Sequence, residues 1–188
     1  MKHRVCPWRH AYLFDNPLRR LIHDPKKILE PFVSKGMTVL DIGCGMGFFS
    51  IGMAKLIGKE GRVISVDLQQ EMLDVLKKRA AKAGVIDQIQ THRSMPNDLG
   101  VTTPVDFVLA FWMVHEVPDR VKFLRQVKSL LNVNGHFLVA EPKMHVPEKD
   151  FHETIELAKA EGWHYTRDIH IRLSRASILL NPIPEKTQ

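Results

Sequence analysis

The segment Val39-Leu40-Asp41-Ile42-Gly43-Cys44-Gly45-Met46-Gly47 constrains the fold more than any other part of the chain. A short apolar run leads into alternating glycines, and a helical pattern follows from Phe48 to Ile57. Glycine at these places allows a tight strand-to-helix turn with positive φ and lets a ligand approach the backbone. The helix start that follows offers N–H groups with no partner inside the helix. A second apolar run, Arg62 to Asp67, ends on an acidic residue 20 positions after Gly47. A carboxylate at the end of the second strand can accept both hydroxyls of a ribose.

The rest of the chain repeats the alternation. Helical spacing is expected over Glu71–Ala83, stopped by Gly84, over Asp119–Leu131, and over Pro147–Glu161, stopped by Gly162. Strands are expected near Ile89–His92, Val105–Phe111 and His136–Glu141, with a turn at Asn134-Gly135. Two last strands, near Trp163–Arg172 and Arg175–Leu180, read as an antiparallel hairpin. The expected fold is α/β: a Rossmann-like, doubly wound, mostly parallel seven-stranded sheet with an antiparallel C-terminal hairpin, in a single domain. Residues 36–188 would form that domain. Residues 1–35 would form a helical arm or lid, with Asn16-Pro17 and Asp24-Pro25 starting two short helices.

Composition removes several classes. At 44% hydrophobic and 26% charged, the chain is an ordinary globular one. No apolar run reaches the roughly 20 residues of a membrane span, and no apolar segment follows the basic residues at the N-terminus to make a secretory signal. Two cysteines, Cys6 and Cys44, cannot build a disulfide framework and fit a reducing cytoplasm. The net charge of +6 permits nucleic acid without demanding it. Arg4, Arg9, Arg19 and Arg20 are the residues an RNA acceptor would use. His3, Cys6 and His10 match no strong zinc spacing, so no metal is expected.

Two cofactors compete for the glycine turn. A dinucleotide fingerprint counted from Gly43 and Gly45 needs glycine where Phe48 stands, and Asp41 would repel a pyrophosphate. A sulfonium or an ammonium suits Asp41 instead. On Val39–Phe48, Val63–Asp67, Val105–Val117 and Leu130–Pro142 the chain resembles the class I S-adenosylmethionine-dependent methyltransferases, most of all the small-molecule branch typified by the ubiquinone/menaquinone-biosynthesis enzymes. The resemblance runs from about Val33 to Leu180.

The resemblance implies S-adenosylmethionine as cofactor and S-adenosylhomocysteine as product. It places Gly43, Cys44, Gly45 and Gly47 along the methionine and ribose, Asp41 on the amino group, Asp67 on the ribose hydroxyls and Leu68 on the adenine. The Phe111 carbonyl would also meet the amino group. After the third strand Arg93-Ser94-Met95 stands where the family commonly has an acidic residue, which leaves Ser94 and Met95 as backbone and apolar contacts. Cys44 is expected as a small filler rather than a nucleophile.

Methyl transfer is an in-line displacement that rests mainly on alignment. It needs a base only where the acceptor holds a proton it cannot lose unaided. His115, Glu116 and Glu141, after the fourth and fifth strands, are the candidate catalytic residues. Trp8, Tyr12 and Trp112 are the substrate or lid candidates. The expected activity is methyl transfer to a small-molecule acceptor, with no membrane partner. RNA methylation, a non-catalytic cofactor-binding module and, less favoured, an NAD-dependent oxidoreductase are the alternatives. Nothing in the sequence sets an oligomeric state.

Overall fold

The structure, a computed structural model, describes residues 19–183. Trp8, Tyr12, His3, Cys6, His10 and the Asn16-Pro17 cap lie outside the described residues. Two short helices open the described chain, α1 (Arg19–Ile22) and α2 (Pro25–Leu29). The Asp24 side chain accepts from the Lys26 N–H, and Pro25 begins the helix behind it, as the Asp-Pro pair predicts.

Strands and helices then alternate: β1 (Thr38–Ile42), α3 (Phe48–Ile57), β2 (Arg62–Asp67), α4 (Gln70–Lys82), β3 (Ile89–Arg93), β4 (Val105–Phe111), α5 (Arg120–Leu130), β5 (Leu131–Pro142), α6 (Glu148–Ala160), β6 (His164–Asp168) and β7 (Ser174–Leu180). The seven strands form one sheet in the order β3-β2-β1-β4-β5-β7-β6. β1 through β5 pair in parallel, and β7 pairs antiparallel with both β5 and β6. The C-terminal hairpin therefore enters the sheet by its second strand.

The central strands are mostly apolar because both faces are covered. Val39, Phe107, Leu109 and Leu138 point to the face that also buries Phe49 and Met53 of α3 and Leu73 and Leu76 of α4. Leu40, Val108, Phe137 and Val139 point to the other, against Leu124 and Val127 of α5 and Phe151 and Ile155 of α6. Phe107 is fully buried and stacks on Phe32 at 6.1 Å; burying a side chain of that size contributes about 1.5–3 kcal/mol.

Two boundaries differ from the sequence expectation: β6 ends at Asp168 rather than near Arg172, and β5 starts early. β5 begins at Leu131, before the Asn134-Gly135 turn. Val105 pairs with Leu131 and Phe107 with His136, so residues 132–135 bulge out of a continuous strand, with Asn134 at φ 63°.

The strand order reverses direction at β1 and β4. Ligands of such sheets sit beyond the strand ends at that point. The residues after β1, β2, β4 and β5 are therefore the ones to inspect.

Candidate functional site

The turn after β1 is tied to β2. The N–H groups of Gly43 and Cys44 both donate to the Val66 carbonyl, at 2.8 and 3.0 Å. Gly43, Gly45 and Gly47 all have positive φ. At Gly43 a Cβ would stand 2.8 Å from Met113 Cγ, and at Gly47 2.7 Å from Leu76 Cγ. Gly45 differs, since a Cβ there would meet nothing within 4 Å. Two glycines of the turn are required by packing, and the middle one opens onto space.

Asp67 closes this cradle. Its Oδ2 accepts from the Gly45 N–H and its Oδ1 from the Gln69 N–H, each at 2.9 Å. A carboxylate has about four acceptor positions, so capacity remains on Asp67 for a ligand hydroxyl. Asp67 is 8% exposed. Burial pushes its carboxyl above the usual range, while the N–H groups of Gln69, Gly45 and Leu68 pull it back.

Beside Asp67, a cavity is lined by Leu68, Ser94, Met95, Leu99, Val117 and Phe123. Met95 pairs with Asp98 in a short bridge, which folds Asp98 back onto the same cavity, and Asp119 lines it as well. The stretch Arg93-Ser94-Met95 offers no carboxylate, and the two that reach the cavity come from further along the chain. The turn-forming run Pro96-Asn97-Asp98 was the available signal.

Asp41 lies under α3. It is 2% exposed, and its Oδ2 accepts from Ser50 Oγ at 2.5 Å. Ser65 Oγ in turn donates to Ser50 at 2.9 Å. Burial pushes the Asp41 carboxyl up to about 7, against the Ser50 hydrogen bond and the Arg19 charge. Cys44 is buried and free, and burial drives its thiol well up, which suits the filler role.

Residues after β4 form an aromatic wall. Phe111 packs 4.4 Å from Phe49, and Trp112 lies 5.4 Å from Phe111. Trp112 has φ 62°, costly for a bulky side chain, and is held there by two hydrogen bonds. Its N–H donates to the Ala140 carbonyl at 2.7 Å and its Nε1–H to Ser174 Oγ at 2.8 Å. His23 is buried edge-on against both rings and reaches the Arg172 carbonyl through Nε2 at 2.8 Å.

Arg19, one of the arginines the sequence offers to an RNA acceptor, lies against the aromatic wall. Its guanidinium sits 4.4 Å from the Phe48 ring centre and 5.6–5.8 Å from those of Phe49, Phe111 and Trp112. No local signal marks Arg19 for this place, because the cage is assembled from α3 and the end of β4.

His115 and Glu141 meet at the carboxyl ends of β4 and β5. The Nδ1 of His115 lies 2.5 Å from Glu141 Oε2, and the His115 N–H donates to Oε1 at 3.2 Å. Glu116 Oε1 is 4.0 Å from Nε2.

A sheet of this order, with a glycine turn at its switch point clasped by the carboxylate that ends β2, defines a Rossmann-like domain of the S-adenosylmethionine-dependent methyltransferase class. The profile of the family described as "Methyltransferase domain" matches residues 33–170. The chain belongs to that family. A ubiquinone biosynthesis O-methyltransferase of Azorhizobium caulinodans is 33% identical over 139 residues, 73% of this chain and 52% of that protein. A demethylmenaquinone methyltransferase of Listeria monocytogenes is 31% identical over 103 residues, 55% of this chain and 44% of that protein. The chain thus spans about half the length of the curated relatives it matches. Among solved structures, a SAM-dependent methyltransferase from Aquifex aeolicus superposes with a TM-score of 0.82 at 25% identity, over 94% of this chain and 99% of that one.

Proposed function

We propose that this domain binds S-adenosylmethionine and moves its methyl group to a small-molecule acceptor. The contact that carries the reading is the 2.9 Å hydrogen bond from the Gly45 N–H to Asp67 Oδ2, which brings the turn and the acidic residue to one point. When bound, S-adenosylmethionine supplies a methyl group already activated on a sulfonium. The remaining acceptor positions of Asp67 take the two ribose hydroxyls. The backbone of Gly43, Cys44, Gly45 and Gly47 runs beside the ribose and methionine. Leu68, Ser94 and Met95 contact the adenine.

The methionine end is a zwitterion, and the site has one charge for each part. Asp41 and the Phe111 carbonyl take the ammonium. Arg19 takes the carboxylate. Phe48, Phe49, Phe111 and Trp112 keep water from the sulfonium, whose charge fades during transfer; charge effects strengthen in such a dry surrounding.

The acceptor lies outside this wall. Trp112, Met144 (87% exposed) and Leu173 offer it an apolar rim at the same sheet edge. That rim, and the quinone-biosynthesis names of the relatives, support a small and largely apolar acceptor. No helix among the described residues is long and apolar enough to cross a membrane. The free thiol of Cys44 fits a reducing cytoplasm.

Calorimetric titration with S-adenosylhomocysteine tests the reading. Saturable one-site binding is expected, and absence of binding to the wild-type chain overturns it.

A further inference from the structure

Glu141 is 2% exposed, and the two hydrogen bonds of its side chain among the described residues both go to His115. The nearest basic side chain by register, Arg175 on β7, directs its guanidinium to the Lys143 and Val146 carbonyls and toward Glu148. A carboxylate kept merely to finish a turn would need only the backbone N–H. This one also grips the imidazole Nδ1. That contact selects the tautomer with the proton on Nδ1 and the lone pair on Nε2. The His115 side chain stays 29% exposed.

The turn that carries His115 packs on the cofactor cradle. Met113, two residues earlier, fills the space where a Gly43 Cβ would stand. His115 is on the single helical turn Val114–Glu116 directly after β4, and Glu141 is one residue past the β4-paired Ala140. The pair therefore sits at the strand ends where the methyl group would be presented.

We infer that His115 is the catalytic base of the transfer, acting through Nε2 on an acceptor hydroxyl, and that Glu141 is the positioning residue that holds it. This rests on the cofactor reading above. As the hydroxyl oxygen forms its bond to the methyl carbon, the carbon–sulfur bond breaks and its electron pair stays on sulfur, leaving a neutral thioether. Nε2 takes the hydroxyl proton, the imidazolium is balanced by the Glu141 carboxylate, and the proton then passes to water.

Electrostatics agree with the geometry. Burial works against the imidazolium, but the Glu141 hydrogen bond and charge, with the Glu116 charge on the other side, lift His115 above its ordinary 6.5. Such a base gains its proton more firmly as the transfer proceeds.

The test uses the full chain with S-adenosylmethionine, and with catechol and the more acidic 4-nitrocatechol as hydroxyl probes. Thioether product is followed by mass spectrometry. Wild-type turnover of catechol is expected, rising with pH through the His115 titration. His115→Ala should lose about 10²–10⁴-fold in kcat on catechol, less on 4-nitrocatechol, with unchanged S-adenosylhomocysteine affinity. His115→Gln replaces it should the alanine variant not fold. Glu141→Gln keeps an acceptor for Nδ1–H but removes the charge. It should move the rising limb to lower pH and cut kcat while KM holds.

Wild-type turnover in both His115 variants, a pH profile that Glu141→Gln leaves in place, or no methylation of either catechol overturns the inference. Binding of S-adenosylhomocysteine separates the two levels. Loss of binding by the wild type defeats the cofactor reading, whereas intact binding with any of those outcomes defeats only the base.

Discussion

Asp41 offers the sharpest test of the cofactor geometry. Its carboxyl is pushed up to about 7 from the ordinary 3.8 by burial. At about 1.4 kcal/mol per pH unit, that rise corresponds to roughly 4 kcal/mol. A raised folded-state value favours the neutral form. Its stabilising share is therefore fully present below pH 3.8 and is lost as pH climbs through about 7. An ammonium beside Asp41 reverses the preference, because it stabilises the carboxylate. Binding at pH 6 should then release most of a proton from this group, and affinity for S-adenosylhomocysteine should rise several-fold from pH 6 to 7. This window stays below the range in which an α-amino group loses its own proton, about 7.7–8. Titration calorimetry in two buffers of different ionisation enthalpy counts the protons. His115 titrates nearby, so Asp41→Asn is the needed comparison. That variant should bind more weakly and lose this proton release and the pH slope. Equal affinity at both pH values in the wild type, or an unaltered slope in Asp41→Asn, would refute the assignment of Asp41 to the ammonium.

Two further outcomes follow from the cradle. Asp67→Ala leaves the Gly45 and Gln69 N–H groups without their acceptor and removes the ribose contact; S-adenosylhomocysteine affinity should fall by about 1–3 kcal/mol, and calorimetry showing no change would remove the ribose assignment. Gly47→Ala places a Cβ 2.7 Å from Leu76 Cγ at φ 87°, so urea unfolding should report a loss of about 1–3 kcal/mol, while a stable variant would mean that the turn relaxes freely.

Much of the fold was legible because its signals are short-ranged. Val39 to Ile42 and Val105 to Phe111 are apolar runs broken only by Asp41 and Asp106, as fits strands covered on both faces. Asp24-Pro25 marked a helix start, and Gly84 and Gly162 each stand just past a helix end with positive φ. The extent of β5 was not legible. Asn134-Gly135 has the local chemistry of a turn, and only pairing with β4 makes it a bulge within a strand.

The site divides in the same way. Gly43, Gly45, Gly47 and Asp67 carry their meaning locally: a backbone that must turn sharply, and a carboxylate at a strand end. His115 and Glu141 could each be noticed, but 26 positions separate them, and their meeting depends on the β4–β5 register. Arg19 could not be picked out, since its cage draws on two distant segments, α3 and the end of β4. Trp112, too, gave no warning that its backbone would take a left-handed turn.

Residue order alone thus determined the alternation of strands and helices and the place of the nucleotide cradle, because these rest on side-chain period and backbone freedom over a few residues. Tertiary structure decided which charges face one another across the crevice. Those encounters are set by strand register and helix docking, where contacts far apart in the chain select one arrangement among many that the local pattern allows equally.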